Sequence, residues 1–351
     1  MKPLNTLHIV RQYGLVGGME RYVWELTNEL ATAGHQVTVL CEALREKTAP
    51  NGVQVIELGS LQPKPRWLAH LRFSHKVSAW VKAHPDSTRI IHSHERTSVH
   101  HATTFHGPPF AAIKNKPLWQ RCSLRIFANL WLEKRELCGP QVKAVIPNSP
   151  LIADDLKHYY PNVEPHLTPA IAPGVGEIHP RIAHTVASDG GYIGFIGKEW
   201  KRKGLDLAVK IVAELKKQQR PQLEFIVAGP NPDEIRHLFK DWNGGFQLLG
   251  EIDSLSFYAQ LDLLLHPARQ EPYGMVIAEA RAAGVPVLVS DNCGIASELN
   301  AYSVLNLDTA VSTWTRQCNT LIGQQQESTS RSWKDVADEQ IHCYQEFLSV
   351  R

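Results

Sequence analysis

Two glutamates stand eight residues apart in the run His266-Pro267-Ala268-Arg269-Gln270-Glu271-Pro272-Tyr273-Gly274-Met275-Val276-Ile277-Ala278-Glu279. The apolar stretch before His266 predicts a strand, the prolines an extended loop, and Gly274 or Met275 the start of a helix. Glu271 therefore precedes the helix and Glu279 falls in its early turns. Carboxylates accept hydrogen bonds from vicinal hydroxyls, so one suits a ribose and the other a hexose, while helix N–H groups between them can take phosphate. A second segment, Gly197-Lys198-Glu199-Trp200-Lys201-Arg202-Lys203-Gly204, carries four cations in six residues. It lies between a strand (Tyr192 to Ile196) and a helix whose face is Leu205, Ala208, Val212 and Leu215. Cations there can neutralise a diphosphate through charge-assisted hydrogen bonds, although GxxxxGK[ST] is absent. A third, Gly17-Gly18-Met19-Glu20, opens a helix after the strand Leu7 to Val10, and its adjacent glycines let a ligand approach the backbone. It is no GxGxxG, which removes the main support for a nicotinamide cofactor. Each segment also has a plainer reading as surface charge, solvated basic loop or tight turn.

The elements that position these segments alternate between short apolar runs and helical periodicities, the pattern of parallel sheets with crossover helices. Met19, Val23, Leu26 and Leu30 mark one helix face, closed by Gly34. Strands are predicted at Gln36 to Cys41, Val53 to Leu58, Arg89 to His92 and Val142 to Ile146. The stretch Pro161 to His184, with five prolines, reads as an interdomain connection. Further strands are predicted at Leu223 to Ala228, Gln247 to Leu249, Leu261 to His266 and Val285 to Ser290. The fold class is α/β: two doubly wound, Rossmann-like domains, residues 1–175 and 176–331, with a ligand expected in the cleft at the strands' carboxyl ends. A terminal helix in 332–351 is expected to pack back toward the first domain.

The 351 residues, 43% hydrophobic and 21% charged, suit two globular domains and exclude a disordered or staple-held chain. With 37 basic against 35 acidic residues, binding of nucleic acid through bulk charge is not expected. The first 175 residues hold 20 basic and 13 acidic residues and twelve of the 17 histidines, an electropositive half that suits an anionic acceptor or membrane surface. The six cysteines are scattered without CxxC spacing, which reads as a reducing compartment. No stretch approaches a spanning length, so a cytoplasmic protein is expected, with membrane contact at most peripheral on the inner face.

Gly17-Gly18-Met19-Glu20, Gly34-His35-Gln36-Val37-Thr38-Val39, the Lys203-Gly204 loop, and Glu271 to Glu279 followed by Ala283-Gly284-Val285-Pro286-Val287 together resemble the retaining family 4 glycosyltransferases, which have the two-Rossmann B-type fold. Lys201 to Gly204 and Cys293-Gly294-Ile295-Ala296 are similar to the bacterial lipopolysaccharide core glucosyltransferases of that family. The resemblance implies that Glu279 binds the ribose of a nucleotide sugar and that Glu271 binds the transferred hexose, with help from Gly274, Met275 and Val276. It implies that Lys203 contacts the diphosphate, with Gly17 and Gly18 closing on it. Lys198 stands where many members have Arg, and Arg202 can substitute for it. Thr103-Thr104-Phe105-His106-Gly107 resembles the family's histidine loop, which brings His106 to the donor sugar or the acceptor hydroxyl.

His92, His94, His100 and His101 crowd near His106 and read as structural. No acidic DxD pair accompanies them and the family needs no metal, so neither metal nor cofactor is expected. Residues 110–137 interleave Phe110, Trp119, Phe127 and Trp131 with Lys114, Lys116, Arg121, Arg125, Lys134 and Arg135, against only Glu133 and Glu136. This segment is either a basic, aromatic platform for an anionic membrane or phosphorylated lipid acceptor, or a helix pair packed on its own domain. The function expected is hexose transfer from a nucleotide diphosphate sugar, of uridine by preference, to a lipopolysaccharide core or other glycan or glycolipid acceptor. The rivals are a noncatalytic sugar-nucleotide module and a sugar-nucleotide epimerase of the same fold.

Overall fold

The computed structural model describes residues 3–60 and 63–349. Met1 and Lys2, at the N-terminal run, and Val350 and Arg351, at the end of the terminal segment, lie outside the described residues. Its contacts divide into two units, one from the N-terminus to Gly174 together with the segment from Ser332, the other Val175–Arg331.

The first unit begins with β1 (Asn5–Ile9), β2 (Gln12–Tyr13), α1 (Gly18–Thr32), β3 (Gln36–Cys41), β4 (Ala43–Leu44), β5 (Val53–Glu57), α2 (Arg66–Ala83), β6 (Arg89–Ser93), β7 (Ala102–Phe105), α3 (Leu124–Cys138), β8 (Ala144–Pro147) and α4 (Pro150–Tyr159). Its main sheet is parallel with order β5-β3-β1-β6-β7-β8. The second unit holds β9 (Gly190–Ile196), α5 (Leu205–Gln218), β10 (Gln222–Ala228), α6 (Pro232–Ile235), β11 (Phe246–Gly250), β12 (Leu263–His266), α7 (Met275–Ala282), β13 (Val287–Ser290), β14 (Val304–Leu305) and α8 (Val311–Leu321), with sheet order β11-β10-β9-β12-β13-β14. In each sheet the first strand sits third from one edge and the order reverses beside it, as in a doubly wound fold that gathers ligand-binding loops at the carboxyl ends of its strands.

Burial follows the helical period. Tyr22, Val23, Leu26 and Leu30 of α1 face the first core, and Leu26→Ala there would cost about 2–5 kcal/mol in lost transfer and cavity. The last helix, α9 (Trp333–Ser349), completes that core with Val336, Ile341 and Tyr344. In the second unit Leu205, Ala208, Val212 and Leu215 of α5 pack over β9, β10 and β12.

Several elements differ from the sequence reading. Thr103, Thr104 and Phe105 are strand rather than loop, β2, β4 and β14 go unread because each has only two residues, and helices α2 and α4 go unread as well. The proline-rich stretch does not act as one connection. Its first part belongs to the first core, where Thr168 and Ile171 donate to the carbonyls of Val145 and Pro147. Its second part lies on the second unit, held by Arg181 to the buried Asp262 at 2.6 Å.

Candidate functional site

In the second unit the chain after β9 turns at Gly197, whose φ is +146°, and a Cβ there would collide with the aliphatic stem of Lys203. Gly204, at φ +78°, lies against the carbonyl of Pro267 with no room for a Cβ. These two close approaches press the basic loop onto the end of β12 and bring Lys203 to Glu271, Nζ to Oε2 at 2.8 Å. His266 Nε2 donates to the same oxygen at 3.4 Å, and Arg202 Nη1 stands 3.6 Å from it while donating to the carbonyl of Gln270. Burial alone would raise the Glu271 carboxyl, but His266 and the charge of Lys203 prevail and hold it well below the usual carboxylate range. Burial pushes His266 down. Glu271 N and O bond to Asn292 O and Gly294 N, at 2.9 Å each, so the loop is fixed to the turn after β13.

Gly274 caps α7 at φ +113°, and the amides of Met275 and Val276 have no acceptor among the described residues. Glu279 lies one turn further on, buried, and accepts from Tyr258 Oη at 2.6 Å. The structure thus brings Lys203, Arg202, Glu271 and the Gly274 turn together. It does not bring all four cations. Lys198 points away to Glu251 at 2.6 Å, two-thirds exposed, and Lys201 lies over the ring of Trp200. Of the four cations in the loop, Arg202 and Lys203 are the two that follow the turn back toward β12 and approach Glu271. Sequence reasoning missed His266 and Tyr258. The strand-end position of His266, five residues before Glu271, was the available signal for the first, whereas nothing local marks Tyr258.

In the first unit Gly17 precedes α1 and Gly18 is its first residue. Gly17 is extended, and a Cβ there would meet the carboxylate end of the Glu20 side chain, which must swing aside, whereas a Cβ on Gly18 would meet nothing within 4 Å, so the fold does not demand a glycine at 18 and asks only a side-chain shift at 17. His106 follows β7 at the carboxyl edge of the sheet. Its Nε2 lies 3.0 Å from His94 Nδ1, His94 Nε2 lies 3.3 Å from His8 Nδ1, and the edge of Tyr22 packs on its ring. Burial lowers His106 and His8 to about 3 and holds His94 and His92 well below the ordinary imidazole value. His8, His92 and His94 approach one another as metal ligands do, yet both nitrogens of His92 are engaged, by Tyr344 Oη at 2.6 Å and Thr104 Oγ1 at 2.9 Å. His8 was absent from the predicted cluster because its neighbour His92 is paired to it by strand register, which the sequence does not display.

Segment 110–137 packs on its own domain through one face and leaves an aromatic face exposed. The inner face of α3 buries Ile126, Leu132 and Leu137, and Glu133 accepts from Arg96, from Tyr160 Oη and from the amides of Phe110 and Ala111. Glu136 is also buried, so neither acid offsets the cations outside. On the outer face Leu124, Phe127 and Trp131 share one side of the helix and stay 72%, 63% and 53% exposed, next in sequence to Leu118 and Trp119 at 73% and 77%.

The family model for glycosyltransferase family 4 matches residues 16–176, and that for glycosyl transferases group 1 matches residues 190–322. Together they span more than four-fifths of the chain. The chain belongs to the family 4 glycosyltransferases. This glycosyltransferase is 26% identical over 309 residues to the lipopolysaccharide glucosyltransferase WaaG of Escherichia coli, covering 81% of this chain and 80% of the relative. It is 28% identical over 307 residues to a phosphatidyl-myo-inositol mannosyltransferase of Mycolicibacterium smegmatis, covering 80% and 74%. Among solved structures, WaaG, a glycosyltransferase involved in lipopolysaccharide biosynthesis, aligns with a TM-score of 0.75 at 18% identity over 99% of this chain and 95% of that one. Anabaena HepE in complex with UDP-glucose aligns at 0.64 with 14% identity over 99% of each. The glycosyltransferase has the B-type fold, and its predicted site residues lie at sheet ends or on the loops and helix starts that follow them, except Glu279, a turn into α7.

Proposed function

We propose that this glycosyltransferase moves a hexose, with retention of configuration, from a uridine diphosphate sugar to a lipopolysaccharide core or other cell-surface glycan or glycolipid, without a metal ion or other cofactor. The observation that carries the reading is the group formed by Lys203, Arg202, Glu271 and the free amides at the start of α7. A diphosphate needs positive charge and N–H donors, and a hexose needs a fixed, ionised acceptor of hydrogen bonds. This group supplies both within one loop cluster. Glu279 takes the ribose hydroxyls. Gly17 and Gly18, whose amides suit a phosphate, and His106, which suits a sugar hydroxyl, are assigned to the donor on the family resemblance. Lys198, turned to Glu251, is left a minor role.

In the transfer the acceptor oxygen forms a bond to the anomeric carbon as the bond from that carbon to the β-phosphate oxygen breaks. The electron pair leaves with the phosphate. The acceptor proton passes to the departing phosphate on the same face, which gives retention without a covalent enzyme intermediate. Lys203, Arg202 and the α7 amides stabilise the charge that develops on the leaving group.

Among the described residues no helix is long and apolar enough to cross a membrane. The exposed aromatic and basic face of 110–137 serves as a peripheral contact with an anionic leaflet, on the cytoplasmic side, where a lipid-linked acceptor is presented. Nucleic acid is not a partner.

The test is thermal stabilisation by a panel of nucleotides and nucleotide sugars in the presence of a chelator, followed by donor hydrolysis and transfer assays. Selective stabilisation by uridine diphosphate and one of its sugars supports the reading. Stabilisation by a guanosine or adenosine sugar alone overturns the donor, and no stabilisation by any nucleotide overturns the site.

A further inference from the structure

We propose that His8 and His94 are positioning residues that fix the tautomer of His106, so that His106 meets its substrate as an Nδ1–H donor. The inference rests on the reading of His106 as a residue that contacts the sugar. The three imidazoles form a line from the sheet interior to its carboxyl edge. His8 Nδ1 faces His94 Nε2 at 3.3 Å, and His94 Nδ1 faces His106 Nε2 at 3.0 Å. A neutral imidazole has one donor and one acceptor nitrogen, and burial keeps all three rings neutral.

Two hydrogen bonds between three neutral rings must therefore run in a single direction. In one direction His106 Nε2–H donates to His94, His94 donates to His8, and the proton of His8 ends on Nε2. That nitrogen is buried and has no hydrogen-bond partner among the described residues, so this arrangement strands an N–H, the rarer and less tolerated defect. In the other direction His8 Nδ1–H donates to His94 Nε2 and His94 Nδ1–H donates to His106 Nε2. Only a lone pair is then stranded on His8, and the proton of His106 is placed on Nδ1, which nothing among the described residues engages.

The fold enforces the line. His8 and His92 are register partners on β1 and β6, His94 lies two residues beyond His92 on the same side, and His106 lies two beyond Thr104 on β7. His92 is tied to Thr104 and to Tyr344 of α9, which holds the neighbouring ring in place without joining the chain of donors. The consequence for chemistry is that His106 gives a hydrogen bond to a substrate oxygen and does not take a proton from it. The departing phosphate is left as the proton's destination.

The experiment is a two-bond proton–nitrogen correlation spectrum of the full chain labelled with 15N-histidine, near pH 7.5, with the His106 signals assigned by their loss in His106→Asn. The expected spectrum shows His106 protonated on Nδ1 and bare on Nε2, and the reverse pattern overturns the proposal. His8→Leu removes the first donor and is expected to shift both His106 nitrogens toward averaged values and to lower kcat about threefold to tenfold at unchanged donor KM, the worth of one hydrogen bond. His8→Asn, whose side-chain amide can donate from the place of Nδ1, is expected to restore the Nδ1–H pattern. A His106 tautomer indifferent to His8→Leu overturns the chain. Zinc chloride at one equivalent is expected to leave the spectrum unchanged, and zinc-dependent shifts at His8, His92 and His94 would overturn the chain in favour of a metal site. If the tautomer is as expected but His106→Asn turns over at the wild-type rate, the role of His106 in transfer falls and the chain does not.

Discussion

Lys203 Nζ sits 2.8 Å from Glu271 Oε2, a pair formed across 68 residues of sequence and nearly closed off from solvent. Each side chain is the other's counterion until a ligand competes for them. On the proposed reading a diphosphate draws on the cation while a sugar hydroxyl donates to the carboxylate, so that binding exchanges one internal bond for two to the substrate. The pair is thereby a fixed polar template, which is what electrostatic stabilisation of a leaving group requires.

Lys203→Ala is accordingly expected to lower kcat/KM for the donor by about 10²–10³. Glu271→Gln, which keeps a carbonyl toward Lys203 and loses the charge, is expected to lower turnover while the protein still unfolds cooperatively in urea. Steady-state kinetics on both variants checks this, and a Lys203→Ala enzyme within threefold of wild type would remove Lys203 from the diphosphate.

Glu279 accepts its buried bond from Tyr258, so its carboxylate is aimed before any nucleotide arrives. Glu279→Ala is expected to raise the donor KM about tenfold with little change in kcat, the loss of a hydrogen bond to a charged group. Tyr258→Phe should do the same more weakly. The measurement is the thermal shift with uridine diphosphate, which should shrink in both variants.

Stability should fall as the solution is acidified below pH 6.5. His8, His92, His94, His100 and His106 are lowered by burial, His100 to about 4. Because the unfolded chain takes up protons near pH 6.5 and the native rings do not, their contribution is fully present above 6.5 and is lost as pH falls toward their native values. Each imidazole accounts for roughly 1 kcal/mol between pH 7.5 and 5.5. Glu136, raised to about 7 by burial, works the other way, since its native form holds a proton that the unfolded chain releases. Glu20, Glu25, Asp155 and Glu298, also raised by burial, oppose the histidines in the same sense. Urea unfolding at the two pH values should show a net loss, and a smaller one in His8→Leu.

The doubly wound class, most strands and the identity of Glu271, Glu279, Lys203 and His106 as candidates were legible in the sequence, because they rest on local period and on residues that follow strands. What joins them was not. The line His8, His94, His106 depends on which strand lies beside which, and β1 and β6 are more than 80 residues apart. Likewise, Lys198 and Lys203 look equivalent in a basic loop until the left-handed turns at Gly197 and Gly204 send one outward and the other to Glu271. Segment 110–137 was ambiguous because its acids, Glu133 and Glu136, read as surface charges and turn out to be the buried anchors of its inner face.

That outer face yields a prediction of its own. Replacing Trp119, Phe127 and Trp131 with Ser removes exposed apolar surface and, at Trp131, the ring on which Arg135 stacks at 4.6 Å, so the fold should hold, with changes within about 0.5 kcal/mol at Trp119 and Phe127 and about 1 kcal/mol at Trp131. Sedimentation with vesicles rich in anionic lipid should drop at least tenfold, and added salt should weaken what remains. Equal sedimentation of the triple variant and the wild type would rule out this face as the membrane contact.

The glycines separate structural need from ligand need. At Gly204 the backbone is left-handed and a Cβ would meet the carbonyl of Pro267, so Gly204→Ala should destabilise the second unit by about 2 kcal/mol or more and disturb Lys203 with it. Gly18 is different, because it opens α1 with vacant space where its Cβ would stand. Alanine favours a helix over glycine by up to about 1 kcal/mol, so Gly18→Ala should leave the melting temperature unchanged or raise it. If the amide of Gly18 closes on a diphosphate, the added methyl stands in the ligand's way and kcat/KM should fall about tenfold or more while the fold gains. A Gly18→Ala enzyme both more stable and fully active would show that the Gly17-Gly18 turn does not touch the donor.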